Sequence, residues 1–383
     1  MSVLREIIYR RIEANPQKRI TFAEYMDLVL YHPQQGYYAT EAVNIGKQGD
    51  FITSPHWGPD FGELLAEQLR EIWQILEFPR PFTVVEMGAG QGILAANILS
   101  YLQRQDEELW EVLEYVIIEK SAAMQAEQKQ RLNINKVKWR TWDEIEAESL
   151  VGCFFSNELI DALPVHQVLV EDKQLKEIYV GCEDRKLVEK IGEFSSPKIS
   201  KYFDLLGIDL RSDVYQEGYR SEVNLAALAW LDTVAKKMQR GYILTIDYGY
   251  SAERYYHPNR REGTLQCYYQ HRRHNDPYWN IGMQDITAHV NFTALEKQGN
   301  LLGLENVGFT QQGLFLMALG LGDKLNELST DRGLSISEVL TRREGLHSLI
   351  DPMGLGGFGV LVQSKGLNRE EEGEQLRGLR IPR

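Results

Sequence analysis

One short stretch constrains this chain more than any other. Thr83-Val-Val-Glu86 is an apolar, β-branched run; it breaks into Gly88-Ala-Gly90-Gln-Gly92 and then into a run with helical spacing from Ile93 to Gln103. A buried strand, a glycine turn and an amphipathic helix in that order make the opening unit of a parallel sheet covered by helices. The alternation continues. Tyr115-Val-Ile-Ile-Glu119 reads as a second strand with Ser121 capping the helix after it, Val137–Trp142 as a third and Cys153–Ser156 as a fourth. Tyr242–Asp247 reads as a fifth, and Phe309–Phe315 and Phe358–Gln363 complete an α/β, doubly wound, mostly parallel sheet.

Other segments surround that core. Residues 1–80 read as a helical segment: Thr21-Phe-Ala-Glu24 has capping-box spacing before an amphipathic run to Tyr31, and Ser54-Pro55 is placed to start a helix reaching Leu76. Residues 81–165 form the first half of the core and 166–221 an inserted antiparallel meander with its connector. Residues 222–365 form the second half, with a helix over 222–239 and a long insertion at 250–292, whose polar, aromatic first part lacks periodicity. The tail, 366–383, is rich in charge and glycine and is expected to be disordered. No internal repeat is visible.

A formal net charge of −13 argues against a standing attraction to phosphate backbones or anionic membranes, so no nucleic-acid partner is expected. The absence of a long apolar run and of a signal-peptide pattern leads to the expectation of a cytoplasmic protein with no membrane insertion. Cys153, Cys182 and Cys267 have no C-x-x-C pairing, which supports neither a disulfide framework nor a zinc knuckle. His271-Arg-Arg-His274 lacks an acid or cysteine at ligand spacing; a polar loop is the better reading, and no metal is expected.

The glycine turn sits where open α/β folds bind ligands, at the carboxyl edge of the sheet. A dinucleotide fingerprint is G-x-G-x-x-G; Gly88, Gly90 and Gly92 make G-x-G-x-G, which disfavours a nicotinamide-dependent oxidoreductase. Glu86, just before the turn, would repel a pyrophosphate but suits a ligand bearing an ammonium and a sulfonium, as S-adenosylmethionine does. Glu119 ends the second strand, where an acid accepts hydrogen bonds from ribose hydroxyls. Trp142-Asp143 would lie next along that edge, with Asp143 either taking the adenine amino group or capping a short helix.

Ser156-Asn157-Glu158-Leu-Ile-Asp161-Ala-Leu-Pro164 follows the fourth strand and reaches the same rim. Two acids three residues apart project together and suit a cationic acceptor such as an arginine guanidinium, so Glu158 is the first candidate catalytic residue and Asp161 the second. The competing reading makes Asp161 a helix cap and Glu158 a loop brace. Asp247-Tyr248-Gly249 and His289 are candidate substrate-binding residues; Asp247 reads equally well as a strand-end acid and His289 as a structural histidine.

These motifs together resemble the MidA family of S-adenosylmethionine-dependent methyltransferases, whose mitochondrial members assemble respiratory complex I and methylate an arginine of one subunit. The resemblance is carried by Tyr31-His-Pro-Gln-Gln-Gly-Tyr-Tyr38, Gly49-Asp50-Phe-Ile-Thr53-Ser-Pro55, Phe61-Gly-Glu63, the Glu86–Gly92 turn, Asn157–Pro164, Asp247-Tyr-Gly249 and Asp285-x-Thr-Ala-His289. It implies a class I methyltransferase core and S-adenosyl-L-methionine as cofactor. It also implies a protein arginine as substrate, on a complex I-type subunit, and places Gly49, Asp50 and Thr53 near the donor in an N-terminal lid. Asn157 joins the donor-binding set, and the alternative is an assembly factor that binds the donor without turnover. Room is left for a homo-oligomer. The chain departs from the family at His56, where an acid usually follows Thr-Ser-Pro, and at Asn291, in place of an aspartate before Phe292.

Overall fold

The computed structural model describes residues 3–39, 53–132, 135–270, 272–330, 333 and 335–382. Its centre is a seven-stranded sheet. In chain order the strands are β1 (Phe82–Met87), β2 (Leu113–Ile118), β3 (Val137–Trp139), β4 (Leu150–Asn157), β5 (Met238–Asp247), β6 (Glu305–Gln311) and β7 (Gly359–Lys365). Across the sheet they run β6-β7-β5-β4-β1-β2-β3. The sheet is mixed: β3 to β5 pair in parallel through β2, β1 and β4, and β7 runs antiparallel to both β5 and β6.

Alternation along the central strands explains the two covered faces. Val84, Tyr115, Ile117, Cys153, Phe155 and Leu244 join a core with the helices Asp60–Ile75 and Ile93–Gln105. Val85, Val116, Phe154 and Ile243 face the other way, against the helices Leu225–Lys237 and Phe292–Leu301. Truncating Leu65 or Phe155, both fully buried, to alanine belongs to the class of core deletions that cost roughly 2–5 kcal/mol.

From β1 the chain winds outward through β2 to β3, then returns to β4 beside β1 and continues to β5. The reversal lies between β1 and β4, where Met87 pairs with Ser156. Both strands end at the same rim, so the glycine turn and the Asn157 loop meet in the crevice of the switch point.

The N-terminal segment departs from the all-helical expectation. Thr21 caps the helix Phe22–Tyr31 through a full capping box with Glu24, as its spacing predicts, but Arg19–Thr21 is a strand. It extends the inserted meander by pairing with the strand Gln174–Glu183. The expected helix from Ser54 to Leu76 is split: Ser54–Trp57 forms a 3-10 turn, and Gly58 at φ 139° with Pro59 breaks it from Asp60–Ile75. The unpatterned stretch after Tyr250 contains the strands Gln266–Tyr269 and Arg272–His274, which with Asp285–Thr287 make a three-stranded sheet. Strands of three or four residues are too short to print a period on the sequence. Only Glu305–Gln311 of the sixth strand is extended, and the apolar run from Gln312 to Leu319 is helical.

The tail expected to be disordered is ordered over residues 366–382. Arg369–Gly373 is a helical turn capped by Asn368, buried Glu371 pairs with Arg240 at 2.7 Å, and the Gly378 amide donates to Gln68 at 2.9 Å. Arg377 and Arg380 likewise pair with Glu67 and Glu71 of the core, contacts that composition does not reveal. Among the described residues no helix is long and apolar enough to cross a membrane.

Candidate active site

A cavity of about 880 Å³ opens at the switch point. The glycine turn forms its floor. Gly88, Gly90 and Gly92 have φ of 70°, 50° and 74°, a left-handed backbone that side chains with a Cβ adopt only at a cost. A Cβ on Gly90 would meet nothing within 4 Å, so the backbone there is bare toward the cavity. Gly88 is closed in by the next loop, where a Cβ would lie 2.7 Å from Leu159 Cδ1. Gly92 lies behind the turn as the N-cap of Ile93–Gln105.

Two carboxylates stand beside this floor. Glu86 is 3% exposed and accepts from the Tyr115 hydroxyl at 2.7 Å. Burial pushes its carboxyl up to about 7, against the tyrosine bond, which favours the carboxylate. Glu119 accepts from the Ser121 amide at 2.9 Å and from Gln128 Nε2 at 3.1 Å, and burial raises it too. Gln128, fully buried, also donates to the Gly90 carbonyl at 2.8 Å and accepts from Trp139 Nε1 at 2.9 Å. One amide thereby ties the glycine turn, the end of β2 and β3 into a single rigid edge.

The facing wall is the Asn157–Pro164 loop. Glu158 has φ 52°, and its amide donates to the Ile246 carbonyl at 2.9 Å, which turns the chain away from β4. Asp247 pins the turn from below: its Oδ2 accepts from the Ile160 and Asp161 amides at 3.0 and 3.2 Å, and its Oδ1 from the Tyr248 amide at 2.8 Å. Burial and then the charge of Asp161 raise the Asp247 carboxyl, against these amide donors. Glu158 Oε1 receives the Asn157 side chain at 3.2 Å and the Ser54 amide at 3.4 Å. Asp161 Oδ2 receives the Tyr248 hydroxyl at 2.6 Å. Burial, then neighbouring Asp161, pushes Glu158 up to about 8; burial, opposed by Tyr248, brings Asp161 to about 6.

Four polar atoms in this part of the wall have no hydrogen-bond partner: Asn157 Oδ1, Asp161 Oδ1, Thr287 Oγ1 and His289 Nδ1. Buried polar atoms are almost always paired, and these four line the cavity, where a polar ligand could pair with them. His289 is set edge-on to Tyr248 and stacked on Tyr250, each at 4.9 Å. Burial, then the charge of Arg260, lowers its imidazole to about 4, leaving it neutral and able to accept.

Most of the expected site residues converge. Glu86, Gly88, Gly90, Glu119, Asn157, Glu158, Asp161, Tyr248 and His289 line one cavity, and Thr53 joins them through a 2.7 Å bond to His56, which reaches Gln91 of the glycine turn at 3.0 Å. Others do not. Trp142 packs in parallel on Phe154 at 6.4 Å and Asp143 is exposed in the following 3-10 turn; neither lines the cavity, because β3 stops at Trp139, short of the rim. The cap of that turn is the Thr141–Glu144 pair, not Asp143. Asp247 lies under the loop instead of touching the cavity. Gly49, Asp50 and His271 lie outside the described residues. Asn291 caps Phe292–Leu301 through the Ala294 amide at 3.2 Å, work an aspartate does equally well.

Sequence reasoning missed Gln128, Tyr115 and Tyr268, the last of which lines the cavity, since nothing in a glutamine within a polar helix or a tyrosine in a strand marks a site. Tyr31, whose hydroxyl donates to the Ala162 carbonyl at 2.9 Å, and Tyr38, which donates to Asp285 at 2.9 Å, had a signal only in the motif that carries the family resemblance.

Comparison with known proteins identifies the type of site. A family model described as S-adenosyl-L-methionine-dependent methyltransferase matches residues 64–310. A Drosophila melanogaster relative, named protein arginine methyltransferase NDUFAF7 homolog, mitochondrial, is 30% identical over 375 residues, covering 88% of this chain and 79% of its own. The Homo sapiens protein arginine methyltransferase NDUFAF7, mitochondrial, is 26% identical and covers 92% of this chain and 82% of its own. A Burkholderia thailandensis protein, solved bound to S-adenosyl-homocysteine, has a TM-score of 0.84 at 31% identity, covering 99% of this chain and 96% of its own. The expectation of a cytoplasmic protein is overturned, because these curated relatives are named mitochondrial. An acidic chain without long apolar runs suits an organelle matrix as well as a cytosol, so composition could not decide the compartment. The fold, the glycine-floored cavity and these matches agree: the chain belongs to the MidA-type family of S-adenosylmethionine-dependent methyltransferases and is an enzyme that takes its methyl group from that cofactor.

Proposed function

We propose that the chain is a class I methyltransferase that methylates an arginine side chain of a protein, with a complex I-type subunit as the substrate that the family resemblance suggests. The donor would rest on the Gly88–Gly92 turn, its cationic end near Glu86 and its ribose hydroxyls on Glu119, with Thr53 of the N-terminal segment closing from above. When bound, the donor supplies a methyl group on an already activated leaving group. What the protein must add is alignment and the exclusion of water.

The observation that carries the reading is the pair Glu158 and Asp161. Both are carboxyls pushed up by burial, to about 8 and about 6, beside acceptor atoms that have no partner. A site made so unfavourable for bare carboxylates is relieved by a cation, and a guanidinium, always charged and planar, matches two carboxylates. Glu158 and Asp161 fix its plane, Tyr248 holds Asp161 in place, and neutral His289 can accept a further N–H. Glu158 then takes the proton that the methylated nitrogen sheds. The relatives named as arginine methyltransferases support the same acceptor.

The test is methyl transfer from labelled donor to matched peptides containing arginine, lysine or neither. Label on arginine alone is expected, and Glu158→Gln is expected to lower kcat by roughly 10²-fold with donor affinity within twofold, by analogy with losing one transition-state contact. Label on lysine, or a fully active Glu158→Gln enzyme, would sink the proposal.

A further inference from the structure

The cavity is bipolar. Its depth carries Glu86, Glu119, Glu158 and Asp161, while Arg254 and Arg273 line it on the side of Tyr250 and His289. Arg254 and Arg260 lie over the Tyr250 ring, at 4.5 and 4.4 Å. All three arginines are close enough for their charge to act on His289. Among the described residues none of the three has a carboxylate within 4.0 Å. Arg254 and Arg273 are exposed, so they stand at the mouth of the cavity and not in its depth. Unpaired guanidinium groups gathered on one side repel one another, and an anion brought among them relieves that cost.

We infer that the mouth of the cavity selects substrate segments in which an aspartate or glutamate flanks the target arginine, with Arg254 and Arg273 as the residues that receive its carboxylate. The inference deepens the arginine reading and rests on it. An arginine entering the acidic depth leaves its neighbours in the sequence at the mouth, where the sign of the wall has reversed. Substrate charge is thus matched twice, in opposite senses, which discriminates against segments that are basic throughout. Tyr250 gives the Arg254 guanidinium a flat platform and reduces the freedom it would lose on binding.

The experiment uses the full chain with two arginine peptides that differ only in one flanking residue, glutamate or glutamine, and reads both binding by fluorescence anisotropy and methyl transfer. The unmodified enzyme should bind the glutamate peptide about five- to tenfold more tightly at low salt, the preference shrinking as salt is raised. The double variant Arg254→Gln, Arg273→Gln should bring the two peptides within about twofold of each other, and Arg254→Lys should keep part of the preference. Methyl transfer to both peptides with equal affinity overturns the inference and leaves the arginine reading standing. Transfer to neither overturns the arginine reading and this inference with it. A short RNA that displaces the glutamate peptide as readily as excess unlabelled peptide does overturns the carboxylate assignment in favour of a phosphate site.

Discussion

Between Glu86 and Gln128 the polar groups at the floor of the cavity are bonded to one another. Tyr115 holds Glu86, and Gln128 holds both Glu119 and the Gly90 carbonyl. Across the cavity, the wall is assembled from Tyr31 and Tyr38, the Asn157–Asp161 loop, Tyr248–Tyr250 and Asp285–His289, and it includes four unpartnered polar atoms. The first region is finished within about one βαβ unit of chain. The second is drawn together from distant segments and leaves those polar atoms unpaired. A preformed floor and an open wall suit an enzyme with one constant donor and a larger, variable acceptor.

The sharpest way to break this contrast is at Gly90. A Cβ there meets no atom within 4 Å but points where the donor is proposed to lie, at a φ of 50°. Gly90→Val should therefore fold, at a cost of about 1–2 kcal/mol for the left-handed backbone, while donor affinity measured by calorimetry falls by more than roughly 10²-fold, on the scale of a bulky clash in a fitted site. A variant that binds donor normally would show that the bare backbone is not the seat.

Acidity tests the other wall. Glu158 near 8 and Asp161 near 6 are protonated below those values, and a neutral acid cannot pair with a guanidinium. Hence kcat/KM should rise with pH between about 5 and 8, by up to tenfold per pH unit for each group required. A bound cation pulls both groups down, so the rise in kcat should lie at lower pH than the rise in kcat/KM. Glu158→Gln should remove the upper limb and keep the lower one. A profile flat over that range would mean that these carboxyls do not need to ionise.

The smallest expected effect belongs to Gln128, which touches no acceptor residue. Gln128→Ala removes its bonds to Gly90 and Glu119, each worth about 1 kcal/mol net, so the donor Kd should weaken by at most roughly thirtyfold with the acceptor KM unchanged. An equal change in both would indicate that floor and wall are one unit, coupled where Gly88 meets Leu159.

What could be read directly from the amino acids was local. The strand, glycine turn and helix at 83–103, the capping box at Thr21 and the paired acids at Glu158 and Asp161 each depend on neighbours a few residues away, and spacing alone reveals them. Trp142 and Asp143 were misplaced because the end of a strand relative to the rim depends on sheet register, which a short strand does not encode.

Tertiary structure decided everything that depends on groups remote in sequence. Tyr115 reaches Glu86 and Asp247 holds the Ile160 amide only because parallel pairing sets their strands side by side. Arg240 turns a charged tail into an ordered one by pairing with buried Glu371. Periodicity and turn chemistry are properties of a few consecutive residues, whereas burial, pKa and the pairing of a polar atom are set by whatever the fold packs against it.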